Sequence, residues 1–305
     1  MASLRADSAE RGRWLRARDY GHESNRDLPS TTFLPLSMRA MLTSLLVVLG
    51  IGAALYTTLC AFLYVQQDRI LFYPGPNDST LIREWQSRRI QIVSAGHTLE
   101  GWWAENPRST SPLVLIYFGG NAEDVLVTAT TAHRFDVRRV LVVNYRGYGQ
   151  TQGRPSQSAL YEDGLAIYDY VAGEGARPEH IVVMGRSLGS GVATMLAAKR
   201  RVNRAILVTP FDSIAAVAAE HYPFFPVRLL LRHPFDSVPF ARQAAVPALI
   251  LAAEQDTIIP PRRAQRLHEL WGGPKHFRLL RGVGHNDIEA SPDYLSSINA
   301  FLSEH

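Results

Sequence analysis

Between Met41 and Val65 lie 25 residues without a single charge, dominated by Leu, Val, Ala and Ile. A chain in hydrocarbon must satisfy every backbone N–H and C=O internally, which leaves helices and closed barrels as spanning structures. One continuous apolar run fits a helix: at about 1.5 Å per residue it crosses a hydrocarbon core of roughly 30 Å with some tilt. Secretory signals have shorter apolar regions, about 7 to 15 residues, closed by a small-x-small cleavage site. No such site follows Val65, and Thr57-Thr58-Leu59 does not place the small residue that a lipoprotein signal sets beside its cysteine. The expectation is an uncleaved single-pass anchor over residues 41–65.

Seven arginines precede this run and four lie between Gln66 and Ile90, a bias that puts the N-terminus inside and the following domain outside the cytoplasm. Lysine occurs only at Lys199 and Lys275, an arginine preference that fits a GC-rich genome. The expected location is therefore a bacterial inner membrane. Residues 1–37 are polar and lack apolar periodicity, so they are expected to be disordered. Met38-Arg39, directly before the apolar run, has the form of a charged n-region and is an alternative start. Residues 68–74 bring aromatics to headgroup depth, as an interfacial collar does.

The remainder, residues 68–305, reads as one α/β domain. Strand-like alternation at residues 90–93 and 97–103 predicts an antiparallel hairpin. Short apolar strands at 113–118, 140–144, 181–185, 205–208, 248–253 and 276–280 then alternate with helical segments at 123–134, 157–172, 191–201, 261–270 and 292–303. That alternation is the pattern of a mostly parallel central sheet with helices on both faces. The longer connection over residues 209–246, rich in Phe, Pro and Arg, predicts a small cap.

Composition excludes several functions. The apolar fraction of 46% and charged fraction of 20% are those of a globular chain. A net charge of +4 with scattered basic residues does not point to nucleic acid. A single cysteine, Cys60, rules out an internal disulfide and a cysteine metal site. No metal-ligand cluster, phosphate-binding loop or cofactor motif occurs, so no metal and no cofactor are expected.

The chemistry concentrates where strands end. Ile181-Val182-Val183-Met184-Gly185-Arg186-Ser187-Leu188-Gly189 is a β-branched run that stops at a glycine and resumes through small residues. This is the G-x-S-x-G elbow, in which a strand turns sharply into a helix and projects a serine hydroxyl. The pentapeptide alone arises by chance in about one in ten chains of this length. Its context raises its weight. Ligands in open α/β sheets bind outside the carboxyl ends of the strands. Asp256 follows the run 248–253, and His285 follows 276–280 in Gly282-Val283-Gly284-His285. Neutral serine is a poor nucleophile, so His285 would remove its proton and return it to the leaving group. Asp256 would hold the imidazole tautomer, with Asp212 in Pro210-Phe211-Asp212-Ser213 as the alternative acid. For the oxyanion, the expected donors are the backbone N–H of Leu188 and that of Asn121 in Gly119-Gly120-Asn121-Ala122. Asn121 can equally cap the helix that follows.

The elbow, Tyr117-Phe118-Gly119-Gly120-Asn121-Ala122, Asn144-Tyr145-Arg146-Gly147-Tyr148-Gly149, Gly153-Arg154-Pro155-Ser156, and Asp256 with His285 together resemble the α/β-hydrolase superfamily. The likeness covers residues 41–303. Within that superfamily the chain is similar to the membrane-anchored serine hydrolases, the serine-aminopeptidase-like and acyl-protein-thioesterase-like members. It departs from them in one place, carrying Gly119 where their His-Gly-Asn-Ala loop has histidine. The resemblance implies an α/β-hydrolase fold and a covalent acyl-enzyme on Ser187. The expected activity is hydrolysis of an ester or thioester, with amides open, on a small-molecule or lipid acyl substrate. Arg146 is expected to brace loop carbonyls at the rim of the site. Two alternatives stand beside this reading: a non-catalytic membrane-tethered scaffold of the same fold, and an acyltransferase or perhydrolase that uses the same groups.

Overall fold

The computed structural model describes residues 35–304. The expected disorder of residues 1–37 falls mostly outside these residues. Where the two overlap, the chain is already helical at Leu36 and Ser37. The first helix, α1 (Leu36–Leu71), is long and apolar enough to cross a membrane. It also runs past the expected 41–65 span into the segment read as a collar. The physical reason is that no Pro or Gly interrupts the chain between Val65 and Leu71. In addition, the polar residues there find partners: Gln67 Nε2 donates to the Leu230 carbonyl at 3.0 Å, and Arg232 Nη2 pairs with Asp68 at 2.8 Å. The chain divides after Ala54 into two compact units. The first, within its described residues, is the apolar start of α1. The second, from Leu55 on, holds everything that follows.

In that second unit the elements run α2 (Ser79–Glu84), β1 (Arg89–Ser94), β2 (His97–Glu105), β3 (Val114–Phe118), α3 (Val125–Thr131), β4 (Arg139–Val143), α4 (Gln157–Gly173), β5 (Ile181–Arg186) and α5 (Leu188–Lys199). They continue with β6 (Arg204–Val208), α6 (Ile214–His221), α7 (Val227–Leu230), α8 (Val238–Gln243), β7 (Ala248–Ala253), α9 (Pro261–Leu270), β8 (Lys275–Leu280) and α10 (Pro292–Leu302). The strands form one eight-stranded sheet in the order β1-β2-β4-β3-β5-β6-β7-β8. β1 and β2 form the antiparallel hairpin, β2 joins β4 antiparallel, and every pair from β4 across to β8 is parallel.

Alternation along each strand sends side chains to opposite faces. In β3, Val114, Ile116 and Phe118 enter one apolar core, while Leu115 and Tyr117 enter the other. α5 is buried over most of its length against the first core, which is why its sequence shows no polar face. The connection over residues 209–246, where a small cap is expected, carries three short helices, α6, α7 and α8.

Two helix starts differ from expectation. α5 begins at Leu188, directly behind the serine, although Gly189 and Gly191 are poor helix formers. Gly189 is required by closeness: a Cβ there would sit 2.1 Å from the Phe118 carbonyl oxygen. α3 begins at Val125, capped by the Asp124 carboxylate, which accepts from the Leu126 N–H at 3.0 Å. Glu123 and Asn121 are therefore loop residues, and Asn121 is not the helix cap.

Candidate active site

Ser187 sits between β5 and α5 with φ 49° and ψ −116°. A side-chain-bearing residue at positive φ is held there only when its surroundings leave no alternative. Here the surroundings are tight on both sides. A Cβ on Gly185 would come within 2.3 Å of the Gly189 carbonyl oxygen, so the strand and helix can approach this closely only through glycine. The Ser187 N–H is anchored to the Val208 carbonyl of β6 at 2.9 Å, and Ser190 donates its N–H and hydroxyl back to the Ser187 carbonyl at 2.9 and 2.6 Å.

His285 comes from the loop after β8. Its Nε2 lies 2.9 Å from Ser187 Oγ and its Nδ1 lies 2.7 Å from Asp256 Oδ2. Asp256 is 6% exposed, and its other oxygen, Oδ1, accepts the N–H groups of Ile258 and Ile259 at 2.9 and 2.7 Å. Those two bonds fix the carboxylate plane, leaving Oδ2 for the imidazole. The structure thus brings together Ser187, His285 and Asp256 from the ends of three parallel strands. The alternative acid is engaged elsewhere: Asp212 accepts from the Ser213 N–H at 2.9 Å and from Arg263 Nη1 at 3.0 Å.

The loop after β3 lies against the serine. A Cβ on Gly120 would stand in van der Waals contact with Ser187 Cβ, at 3.6 Å. The Asn121 side chain faces away toward the end of α1, donating to the Leu71 carbonyl at 2.8 Å. It also accepts from the Tyr73 N–H at 2.8 Å and the Tyr148 hydroxyl at 2.7 Å. Tyr145 donates its hydroxyl to the Gly119 carbonyl at 2.9 Å. Leu188 is the first residue of α5. N–H groups in the first turn of a helix have no partner within the helix and carry its positive end.

Two residues that sequence reasoning did not single out brace this arrangement. Glu123 accepts from the Gly120 N–H at 2.7 Å, and from the Tyr117 and Thr128 hydroxyls at 2.8 Å each. Burial, and then the Glu123 charge, raise the Tyr117 phenol well above its ordinary range, which keeps it a donor. Arg186 reaches from the elbow to the His285 and Asn286 carbonyls at 3.3 Å each, and stands 3.7 Å from Glu123 and 3.6 Å from Glu289. One guanidinium therefore ties the histidine loop to the Glu123 side of the Gly120 loop. Only its position as the variable residue of the elbow hinted at this.

Arg146 does not bond the expected loop carbonyls; its partners are carboxylates of α4. Its Nη2 lies 2.6 Å from Asp163, a carboxylate with no exposure, which also accepts from the Ser94 hydroxyl at 2.7 Å. The reason is electrostatic: a carboxylate buried this fully requires a charged partner.

The sequence matches the α/β-hydrolase fold family over residues 115–240. An uncharacterized protein of Mycobacterium tuberculosis is 32% identical over 267 residues, covering 84% of this chain and 94% of its own. The chain belongs to the α/β-hydrolase family. Lysophosphatidylserine lipase ABHD12 of Danio rerio is 27% identical over 268 residues, or 76% of this chain and 69% of that protein. Among solved structures, the Pyrococcus furiosus esterase Pf2001 superposes with a TM-score of 0.60 at 18% identity, covering 76% of this chain and 97% of the esterase. That likeness is one of fold. Family and relatives together support a hydrolase, and the expected mostly parallel α/β-hydrolase sheet is the observed one.

Proposed function

We propose that this chain is a membrane-anchored serine hydrolase that cleaves an acyl ester or thioester through a covalent intermediate on Ser187. The observation that carries the proposal is the continuous relay in which His285 stands 2.9 Å from the serine hydroxyl and 2.7 Å from Asp256.

In the first half-reaction Ser187 Oγ attacks the acyl carbon while His285 Nε2 takes its proton. The buried Asp256 carboxylate keeps the other proton on Nδ1 and stabilises the imidazolium. The carbonyl oxygen becomes an oxyanion, received by the Leu188 N–H and the Asn121 N–H. Collapse of the tetrahedral intermediate expels the alcohol or thiol, which takes the proton held by His285. In the second half-reaction a water gives its proton to His285 and attacks the acyl carbon. Ser187 then leaves with that proton, and the carboxylic acid is released. No step calls for a metal or cofactor.

The lipase and esterase names of the relatives support an acyl ester as substrate. The apolar part of α1 is proposed to span the membrane. The arginine bias around it favours a catalytic domain outside the cytoplasm, on a bacterial inner membrane.

A fluorophosphonate probe on the detergent-solubilised protein is expected to label Ser187, read by peptide mass spectrometry, and to leave a Ser187→Ala variant unlabelled. The labelling rate should fall as the medium is acidified, because an imidazolium has no lone pair to accept the serine proton. Absence of labelling on folded protein, or a pH-independent rate, overturns the reading.

A further inference from the structure

We infer that the groove between the last turns of α1 and the cap helices α6 and α7 holds the hydrocarbon chain of an ester lipid drawn from the bilayer, while its acyl carbon lies at Ser187. This rests on the serine-hydrolase reading above and adds where the substrate's chain lies and how it enters.

The walls are helix faces of matching character. From α1 come Leu63, Gln67 and Ile70, and from α6 come Ile214 and Ala218, with Tyr222 one residue past its end, each set repeating at helical spacing along one face. Leu230 and Leu231 close the far side. The volume is about 190 Å³. An apolar cavity of roughly 150 Å³ already stays dry and accepts benzene, so this one has room for a stretch of alkyl chain. The amide in the wall is buried, both its N–H donors are taken, and its oxygen is already engaged. Gln67 Nε2 is spent on the Tyr64 and Leu230 carbonyls at 2.9 and 3.0 Å, and its Oε1 on the Arg232 N–H at 2.7 Å.

The choice of a bilayer lipid over a soluble ester comes from exposed apolar residues that adjoin the lining residues in sequence. Phe224, between α6 and α7, and Leu229, in α7, are each 85% exposed. On α1 the neighbouring Phe62, Val65 and Ile70 are also exposed. Exposed apolar side chains of this kind, beside a helix suited to cross a membrane, belong at the acyl boundary of a bilayer.

The helices that wall the groove also bond the loops of the candidate site. α6 springs from the loop after β6, the strand whose Val208 carbonyl holds the Ser187 N–H. Its far end reaches the Asp256 loop, where His221 Nε2 lies 2.9 Å from the Ile258 carbonyl. The opposite wall ends at Leu71, whose carbonyl accepts from Asn121 in the loop that lies against the serine. Two lining residues, Leu71 and Ile214, thus adjoin loops that flank Ser187.

The test uses the full chain in phosphatidylcholine nanodiscs and an alkyl fluorophosphonate bearing a diazirine near the end of a twelve-carbon chain. Reaction at Ser187 followed by photolysis should crosslink residues 63–71 or 214–231. Crosslinks confined to other segments, or to nanodisc lipid alone, overturn the inference while leaving the serine reading intact. Failure of the probe to react at Ser187 strikes the serine reading instead. A second measurement compares p-nitrophenyl decanoate with butyrate on Ala218→Trp. The decanoate-to-butyrate ratio of kcat/KM should fall about tenfold or more, the worth of roughly two buried methylenes. An unchanged ratio overturns the inference. Where the variant loses both esters, the crosslink pattern in the native chain decides.

Discussion

Asp256 and Asp212 each follow a parallel strand, and chain order alone preferred the first without removing the second. Packing separates them. Asp256 turns one oxygen to two backbone N–H groups and the other to His285, whereas Asp212 spends its oxygens on the Ser213 N–H and Arg263. Replacing Asp256 by Asn removes the charge that stabilises the imidazolium and turns the tautomer, so kcat for an ester should fall by about 10³–10⁴-fold. Asp212→Asn should leave kcat within about tenfold and act mainly on stability, since its guanidinium partner also pairs with Glu220. Equal losses of kcat in the two variants, measured on p-nitrophenyl butyrate, would show that the proposed division of labour is wrong. Ser187, Asp256 and His285 could be picked out because each follows an apolar run that ends a strand. Glu123 and Arg186 could not, because a carboxylate and a guanidinium that meet only through folding leave no local pattern. Glu254, a third carboxylate in the same stretch, accepts from the Gly282 N–H at 3.0 Å and so serves the shape of the histidine loop.

At the scale of elements, strands were more legible than helix starts. β7 was expected at residues 248–253 and α9 at 261–270, and both have those bounds. A buried parallel strand is a short β-branched or Leu/Ala run between breakers, and that signal is local. The start of α5 was expected three residues late, because Gly189-Ser190-Gly191 has the composition of a turn. Its glycines answer instead to β3, whose Phe118 carbonyl comes against the first turn of the helix. The element boundary is thus set by a neighbour distant in sequence. Gly189→Ala tests this directly. With a Cβ 2.1 Å from one backbone oxygen and 2.6 Å from the Gly119 oxygen, the alanine has no side chain it can push aside. Overpacking in a core typically costs about 1–3 kcal/mol, and a clash with backbone belongs at or above the top of that range. A shift in thermal midpoint of at least about 5 °C is expected for a domain of this size. A variant that melts with the parent would mean that β3 and α5 are farther apart than described.

On the scale of the whole molecule, the apolar run announced a helix suited to cross a membrane but not that the same helix continues as part of the compact unit that carries the candidate site. The compact unit begins at Leu55, well inside α1. From there the helix and the turn after it make specific bonds. Gln67 joins Leu230 and Arg232, Asp68 pairs with Arg232 and His233, and Leu71 and Tyr73 bond Asn121. Phe72 is 2% exposed and packs edge-on against Phe235 and His233. None of this has a sequence signature, because the cap that receives it lies far along the chain. Its consequence is a sharp difference between two shortened chains. A chain starting at Leu55 keeps every one of these contacts and should retain the thermal midpoint and Ser187 labelling of the full protein in detergent. A chain starting at Pro74 loses the buried Phe72 ring, worth about 3–5 kcal/mol on the scale of Phe-to-Ala changes. It also removes two of the three hydrogen bonds of the Asn121 side chain, leaving the one from Tyr148. Its midpoint should fall by more than about 6 °C, given roughly 2–4 °C per kcal/mol for a domain of this length. Because the Asn121 loop supplies one proposed oxyanion donor, fluorophosphonate labelling at a temperature where both chains are folded should also slow. If the two shortened chains melt together and label at equal rates, α1 is a tether only.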